Sequence, residues 1–237
     1  MIPVIELLYE VDLKLNKIAT NEHQSIPLED KIIVLNQSQV QLIKQKVGEN
    51  NVYKLGLDSF KKRYDDLQFL ISQDNVKLNS SNTIINQFSG DITTLNPKYM
   101  LYVDGFILAN KDTCLNRVLH PILIKHSDLW VYTNNSLTRP SFEYQETLCT
   151  ISNNSFEVYT DSTFTPVIAQ INFIRYPKKI DYIGYQDFNG NNSITQDCEL
   201  PYYLKDELVD LTVQELARST ENNIAASYSE KRISSDE

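Results

Sequence analysis

The chain is 237 residues long, 41% hydrophobic, and carries 22 basic against 31 acidic side chains, for a formal net charge of −9. That acidic balance excludes a protein that grips nucleic-acid phosphates through a basic face, and no stretch approaches the roughly 20 apolar residues a membrane-spanning helix needs. Three widely spaced cysteines, Cys114, Cys149 and Cys198, give no disulfide framework and fit synthesis in a reducing cytoplasm.

The opening Met1-Ile2-Pro3-Val4-Ile5-Glu6 meets a carboxylate before any basic residue and is read as no secretory signal. Leu7, Leu8, Val11, Leu15 and Ile18 then recur at three- and four-residue spacing between Glu6, Glu10, Asp12, Lys14 and Lys17, which predicts an amphipathic helix. Thr20 to Ser25 breaks the pattern. Ser25-Ile26-Pro27-Leu28-Glu29 opens a second helix, because proline suits a first turn whose N–H groups lack partners, and Ile32, Leu35, Leu42 and Ile43 carry it towards Gly48. Two such stripes across a short loop predict an antiparallel helical hairpin. A third helix, over roughly Asp58 to Ile71, presents Phe60, Tyr64, Leu67, Phe69 and Leu70.

From about Val76 the apolar residues come in short runs split by Asn, Ser, Asp and Gly, which is strand chemistry. Strands are expected over Tyr99–Ala109, Leu129–Thr133, Glu143–Ser152, Phe156–Thr160 and Val167–Tyr176. Asn153-Asn154 predicts a hairpin turn, since asparagine accepts the left-handed conformation such turns require. Asn189-Gly190 is a second turn signal. The last helix follows Pro201, with Leu204, Leu208, Val209, Leu211, Val213 and Leu216 as its stripe and Asp197 and Glu199 read as its acidic entrance. After Arg218 the chain is too polar to fold alone.

These readings assemble into an α+β fold, with N- and C-terminal helices forming a bundle and an inserted antiparallel β domain built as a sandwich or small barrel. Residues 1–75 form the N-terminal helical part, 76–196 the antiparallel β domain, and 197–218 the C-terminal helix packing on the helical part. Residues 219–237 are a polar tail, disordered or ordered by a partner.

Reactive chemistry has little to stand on. His120 and His126 are about 20 Å apart at strand rise, with Pro121 between them and no HExxH, CxxC or carboxylate partner at ligand spacing; solvated or packing roles suit them better, and His23 beside Glu22 likewise. No GxSxG element is present, and no cysteine has a histidine near it in sequence. Glu143 and Glu146 stand at an odd offset, which sends them to opposite strand faces. The stretch Asp187 to Asn192 departs from a calcium loop, with Gly190 fourth rather than sixth and Cys198 where the twelfth-position glutamate belongs. No catalytic residue, metal or cofactor is expected.

Surfaces offer more. Fourteen tyrosines against one tryptophan make the chain tyrosine-rich, and Tyr182, Tyr185, Tyr202 and Tyr203 crowd the approach to the last helix. They read either as a packed hinge or as an interface, where tyrosine is enriched. Arg175, Lys178 and Lys179 form a basic island beside Tyr176, whereas Asp197 to Glu237 carries ten acidic residues against four basic. Island against acidic tail suggests head-to-tail association between copies. The candidate interface is therefore Arg175, Tyr176, Lys178, Lys179, Tyr182, Tyr185, Tyr202, Tyr203, Arg218 and Tyr228.

Several stretches resemble structural proteins of crAss-like tailed bacteriophages: Ile5-Glu6-Leu7-Leu8-Tyr9-Glu10, Asn21 to Glu29, Phe142 to Leu148, Arg175 to Asp181, Asp197 to Pro201, and the acidic leucine helix from Asp206 to Ala217. The likeness covers nearly the whole chain, and none of these stretches carries reactive chemistry. It implies a ring protein of the head-to-tail connector or tail, a homo-oligomer of about twelve copies closing through heterologous contacts. Its partners would be the portal and neighbouring tail rings, and its place the virion neck or tail after synthesis in the bacterial cytoplasm. DNA would pass through the ring without sequence-specific contact, and no membrane would be involved. The competing expectation is a tail-associated glycan-binding β module with Trp130 and surface tyrosines as stacking platforms.

Overall fold

The computed structural model describes residues 1–18, 26–48, 61–80, 86–186 and 190–219. Helix α1 (Val4–Ile18) forms where the apolar spacing calls for it, with Val4, Leu7, Val11 and Leu15 buried. Its first turn is tied to a distant segment. The Asp197 carboxylate accepts from the Val4 N–H at 2.9 Å, placing negative charge at the positive end of the helix dipole. Beside it, Ile2 and Cys198 exchange both backbone hydrogen bonds. Asp197 therefore serves the first helix and not the last.

Helix α2 (Leu28–Val47) follows Pro27, with Glu29 and Asp30 in its first turn and Lys44 and Lys46 in its last, each sign where the dipole favours it. A short α3 (Lys61–Leu67) comes next. A 3₁₀ turn over Tyr202–Leu204 leads into α5 (Lys205–Ser219). Every residue from Leu208 to Gln214 is buried, about two turns with no solvent face. Two polar members of that stretch have defined partners: Asp210 meets the Lys14 ammonium at 2.8 Å, and the Thr212 hydroxyl donates to the Leu208 carbonyl at 2.7 Å. Lys46 on α2 lies between Glu207 of α5 at 2.6 Å and the buried Asp66 of α3 at 3.7 Å. Both α1 and α2 pack on α5 more than on each other.

The chain divides into two units, Met1–Leu70 with Pro177–Glu237, and Ile71–Tyr176. The second holds the strands β1 (Ile71–Lys77), β2 (Asn79–Ser80), β3 (Gln87–Asp91), β4 (Tyr99–Lys111), β5 (Cys114–Leu123), β6 (Glu146–Ser152), β7 (Ser155–Tyr159) and β8 (Thr165–Arg175), with helix α4 (Leu129–Asn134) between β5 and β6. They form one eight-stranded sheet in the order β1-β8-β4-β5-β6-β7-β3-β2. The two edges are successive parts of one segment, since only Leu78 separates β1 from β2. Inside the curl lie Ile107, Leu119, Phe156, Ala169, Ile171 and Phe173; burying each large side chain contributes roughly 1.5–3 kcal/mol. Register is fixed at one turn by Asn153 and Asn154, both at positive φ, which close the β6–β7 hairpin as expected.

The expected bundle of terminal helices with an inserted antiparallel sandwich or small barrel does not form. The protein is mixed α/β and dominated by its sheet, a curled half-barrel, with five helices among the described residues and no clear terminal bundle. Three physical causes are visible. Pairing of β5 with β6 is parallel, which requires a crossover rather than a hairpin. That crossover contains 129–133, expected as a strand because of its Trp, Val, Tyr and Thr, but helical here as α4; strand propensity yields to tertiary context. Third, α5 is surrounded, so α1 and α2 cover it instead of closing on each other as a simple hairpin. The stretch 177–196 groups with the helices and not with the strands.

Two substitutions test this packing. A Cβ on Gly90 of β3 would stand 2.3 Å from Val76 Cγ1 and 2.7 Å from the Lys77 carbonyl oxygen, so Gly90→Ala should lower unfolding free energy in urea by about 1–3 kcal/mol. Lys14→Met strands the buried Asp210 carboxylate without its ammonium and should destabilise by about 3 kcal/mol. Wild-type midpoints for both variants would refute these contacts.

Candidate functional site

The structure distributes the candidate interface residues among separate neighbourhoods. Arg175 and Tyr176 end the sheet unit, where Lys98 lies 5.4 Å from the Tyr176 ring centre, a cation over an aromatic face. Lys178 belongs to the helical unit; its backbone N–H donates to Glu199 at 2.9 Å and its ammonium stands 3.5 Å from the same carboxylate. Lys179 is exposed. The basic island is thus split by the boundary between units, and one of its lysines has an acidic partner in its own unit.

The tyrosines are divided too. Tyr182 and Tyr185 are organised by Asp181, whose Oδ1 accepts from the Tyr182 N–H at 2.8 Å and the Tyr185 hydroxyl at 2.7 Å. On the 3₁₀ turn, adjacent Tyr202 and Tyr203 serve different partners. Tyr202 donates its hydroxyl proton to Glu6 at 2.5 Å. Tyr203 has its hydroxyl held above the ordinary tyrosine value by burial and by a hydrogen bond to Asp66. Arg218 pairs with Glu215 one turn back at 3.1 Å. Tyr228 and the tail after residue 219 lie outside the described residues.

One charged constellation joins α1 to α5. The Lys205 ammonium sits 2.7 Å from Glu10 and 2.7 Å from Glu6. Hydrogen bonds donated to Glu10 and then to Glu6 hold Lys205 above the usual lysine range, and the bond from Lys205 holds Glu6 below the usual carboxylate range. Nothing in this arrangement positions a reacting atom; it fixes one helix against another.

Sequence reasoning missed the outer face of α1. Opposite its buried stripe run Ile5, Tyr9 and Leu13, 61%, 66% and 39% exposed, with Met1 just ahead of the helix and exposed as well. Their four-residue spacing puts them on one side of the helix. A helix apolar on two faces has more apolar surface than its own core uses. The spacing carries this signal, but Leu7, Leu8, Val11 and Leu15 already account for an amphipathic helix without it.

Other expected positions are placed as follows. His120 is exposed on β5, and His126 Nε2 lies 3.3 Å from the Ile151 carbonyl. Glu143 is 2.6 Å from the Lys111 ammonium. Trp130 stands exposed on α4. His23 and Asp187 to Asn189 lie outside the described residues. Among the described residues, no group of three His, Cys, Asp or Glu side chains could hold a metal ion, and no helix is long and apolar enough to cross a membrane. No known family model and no curated protein matches the chain.

Burial pushes the Cys149 thiol up to about 12 and the Cys198 thiol up to about 11, whereas Cys114 is exposed at the start of β5. A thiol must ionise to react. Brief iodoacetamide treatment of the folded protein at neutral pH should therefore alkylate Cys114 alone, with all three labelled after denaturation. Mass spectrometry of the peptides reads this, and early labelling of Cys149 or Cys198 would contradict their burial.

Proposed function

We propose that this chain is a self-associating structural subunit, a ring protein of the head-to-tail connector or tail of a short-tailed bacteriophage. In this reading it joins portal to tail around the DNA channel. The observation that carries it is the second apolar face of α1, formed by Ile5, Tyr9 and Leu13. Exposed apolar surface concentrated on one helix face marks a protein contact rather than a solvated exterior. The occupant proposed is a neighbouring copy of the same chain. The resemblance to crAss-like phage structural proteins, which includes Ile5 to Glu10 on this helix, supports that choice.

Charge supports it as well. Lys179 is exposed near the start of the helical unit's second segment, while the chain beyond Asp197 is acidic. A heterologous, ring-closing contact needs two different surfaces on each subunit, and an exposed cation facing an acidic stretch of the next copy suits one. A net-acidic subunit also repels DNA rather than gripping it, which suits a conduit.

The test is the assembly state of the full chain, alone and after mixing with the portal protein of the same phage, by sedimentation velocity. Wild-type protein should form a closed oligomer alone or on the portal. The double variant Ile5→Asp/Tyr9→Asp should lose assembly while keeping its circular dichroism spectrum and its melting temperature within a few degrees, because exposed positions tolerate substitution. A wild-type chain that stays monomeric alone and with the portal would overturn the proposal.

A further inference from the structure

The sheet unit contains a cavity of about 540 Å³ lined in part by Trp130, Arg139, Asp161, Asn86, His126 and Tyr159. Its size falls within the roughly 300–1,000 Å³ of small-molecule sites. Every described lining residue belongs to the unit Ile71–Tyr176. Three separate connections converge on it: α4 and the residues flanking it, the turn from β7 to β8, and Asn86 just before β3. We propose that this cavity binds a saccharide, with a pyranose ring stacked on Trp130 and its hydroxyls held by Arg139, Asp161 and Asn86.

The floor is rigid. Tyr159 is buried, and its hydroxyl donates to Glu157 at 2.9 Å and lies 3.3 Å from the Thr150 hydroxyl. Ser152 also donates to Glu157. Burial would raise the Glu157 carboxyl, but the bonds from Ser152, Tyr159 and Thr150 outweigh it and keep the group below the usual range. The neighbouring wall is fastened at Thr160, whose N–H donates to the Asn86 carbonyl at 2.9 Å. Both Asn86 (φ 65°) and Ser162 (φ 69°) sit in the left-handed region, so the rim is made of tight, defined turns.

The rim carries unused recognition groups. Trp130 is 75% exposed, unusual for a residue that normally buries most of its surface. Asp161 uses Oδ1 to accept from the Thr163 N–H at 3.0 Å and hydroxyl at 2.7 Å, which fixes the carboxylate and leaves Oδ2 without a partner among the described residues. Neither the Arg139 guanidinium nor the Asn86 side-chain amide engages another described residue. A flat apolar face beside fixed donors and acceptors matches a sugar, whose ring presents C–H groups on one side and hydroxyls at its edge. A nucleotide or polyphosphate fits worse: among the described lining residues Arg139 is the one permanently cationic group, and Asp161 offsets it. A purely apolar ligand would strand these polar groups.

The inference does not rest on the connector reading, because Ile5 and Tyr9 lie outside the unit that forms the cavity. The protein supplies its own probe, since Trp130 is its single tryptophan. The full chain would be titrated with maltohexaose, hexagalacturonate and hexaglutamate while tryptophan emission is followed, with calorimetry in parallel. Saturable emission change with either oligosaccharide is expected, the neutral and acidic sugars distinguishing hydroxyl from carboxylate recognition. Trp130→Ala and Arg139→Met should each weaken binding by calorimetry about tenfold or more, without altering the circular dichroism spectrum or the assembly state. No response to either sugar at millimolar concentration, a response to hexaglutamate alone, or undiminished sugar binding by Trp130→Ala would overturn it.

Discussion

The helical unit depends on one constraint: α5 is buried on every side over two turns, and the buried stretch includes a carboxylate. An ionised Asp210 without a nearby cation would face a desolvation penalty of several kcal/mol, and Lys14 supplies the cation at 2.8 Å. That contact fixes more than an energy. It sets the rotation and height of α1 along α5, because Lys14 must sit opposite Asp210 while Val4, Leu7, Val11 and Leu15 face inward. Lys205, gripping Glu6 and Glu10 nearer the other end of the helix pair, repeats the constraint. With rotation pinned at two places, the face carrying Ile5, Tyr9 and Leu13 has no freedom to turn inward. Its exposure follows from how the polar pairs are arranged.

The sheet unit solves a different problem, that of its edges. An open sheet presents unpaired N–H and C=O groups that invite indiscriminate pairing. Here both edges come from the segment 71–80, with β1 pairing β8 along its length and β2 pairing β3. Leu78 bridges the two, its N–H donating to the Val167 carbonyl at 3.0 Å. For the curl to bring β3 this close to β1, the backbone at Gly90 must approach Val76 and Lys77 within distances that no side chain allows. The absence of a Cβ at one position and the curvature of the sheet are therefore parts of one arrangement.

Sequence legibility followed burial. Helices α1, α2 and α5 and strands β4, β6, β7 and β8 announce themselves because each buries enough large apolar side chains for a periodic signal. The strand β1 does not: of Ile71-Ser72-Gln73-Asp74-Asn75-Val76-Lys77 only Val76 is fully buried, as suits an edge strand, and its polar composition carries no strand signal before Val76. Likewise Gln87-Phe88-Ser89-Gly90-Asp91 is held in β3 by neighbours rather than by propensity. Residues 129–133 fail in the opposite sense, since their composition favours a strand and the crossover makes them a helix. Proximity in sequence also says nothing of direction: Tyr202 and Tyr203 are adjacent, yet they reach α1 and α3 respectively.

What remains after internal contacts are subtracted decides which surfaces can act. Many of the charges that look available in the sequence are spent inside their own unit. Lys14, Lys46, Lys178 and Lys205 all pair with carboxylates of the helical unit, and Lys111 pairs with Glu143 in the sheet unit. The basic island that stands out in a linear reading is therefore weaker than a count of cations implies, whereas the ladder on α1 and the rim around Trp130 keep groups that the fold leaves unused. One is flat, apolar and repeated along a helix, the geometry of a contact between large bodies. The other is concave, mixed in polarity and rooted in fixed turns, the geometry of a small ligand. The two differ in shape and in chemistry, and each is built within its own unit.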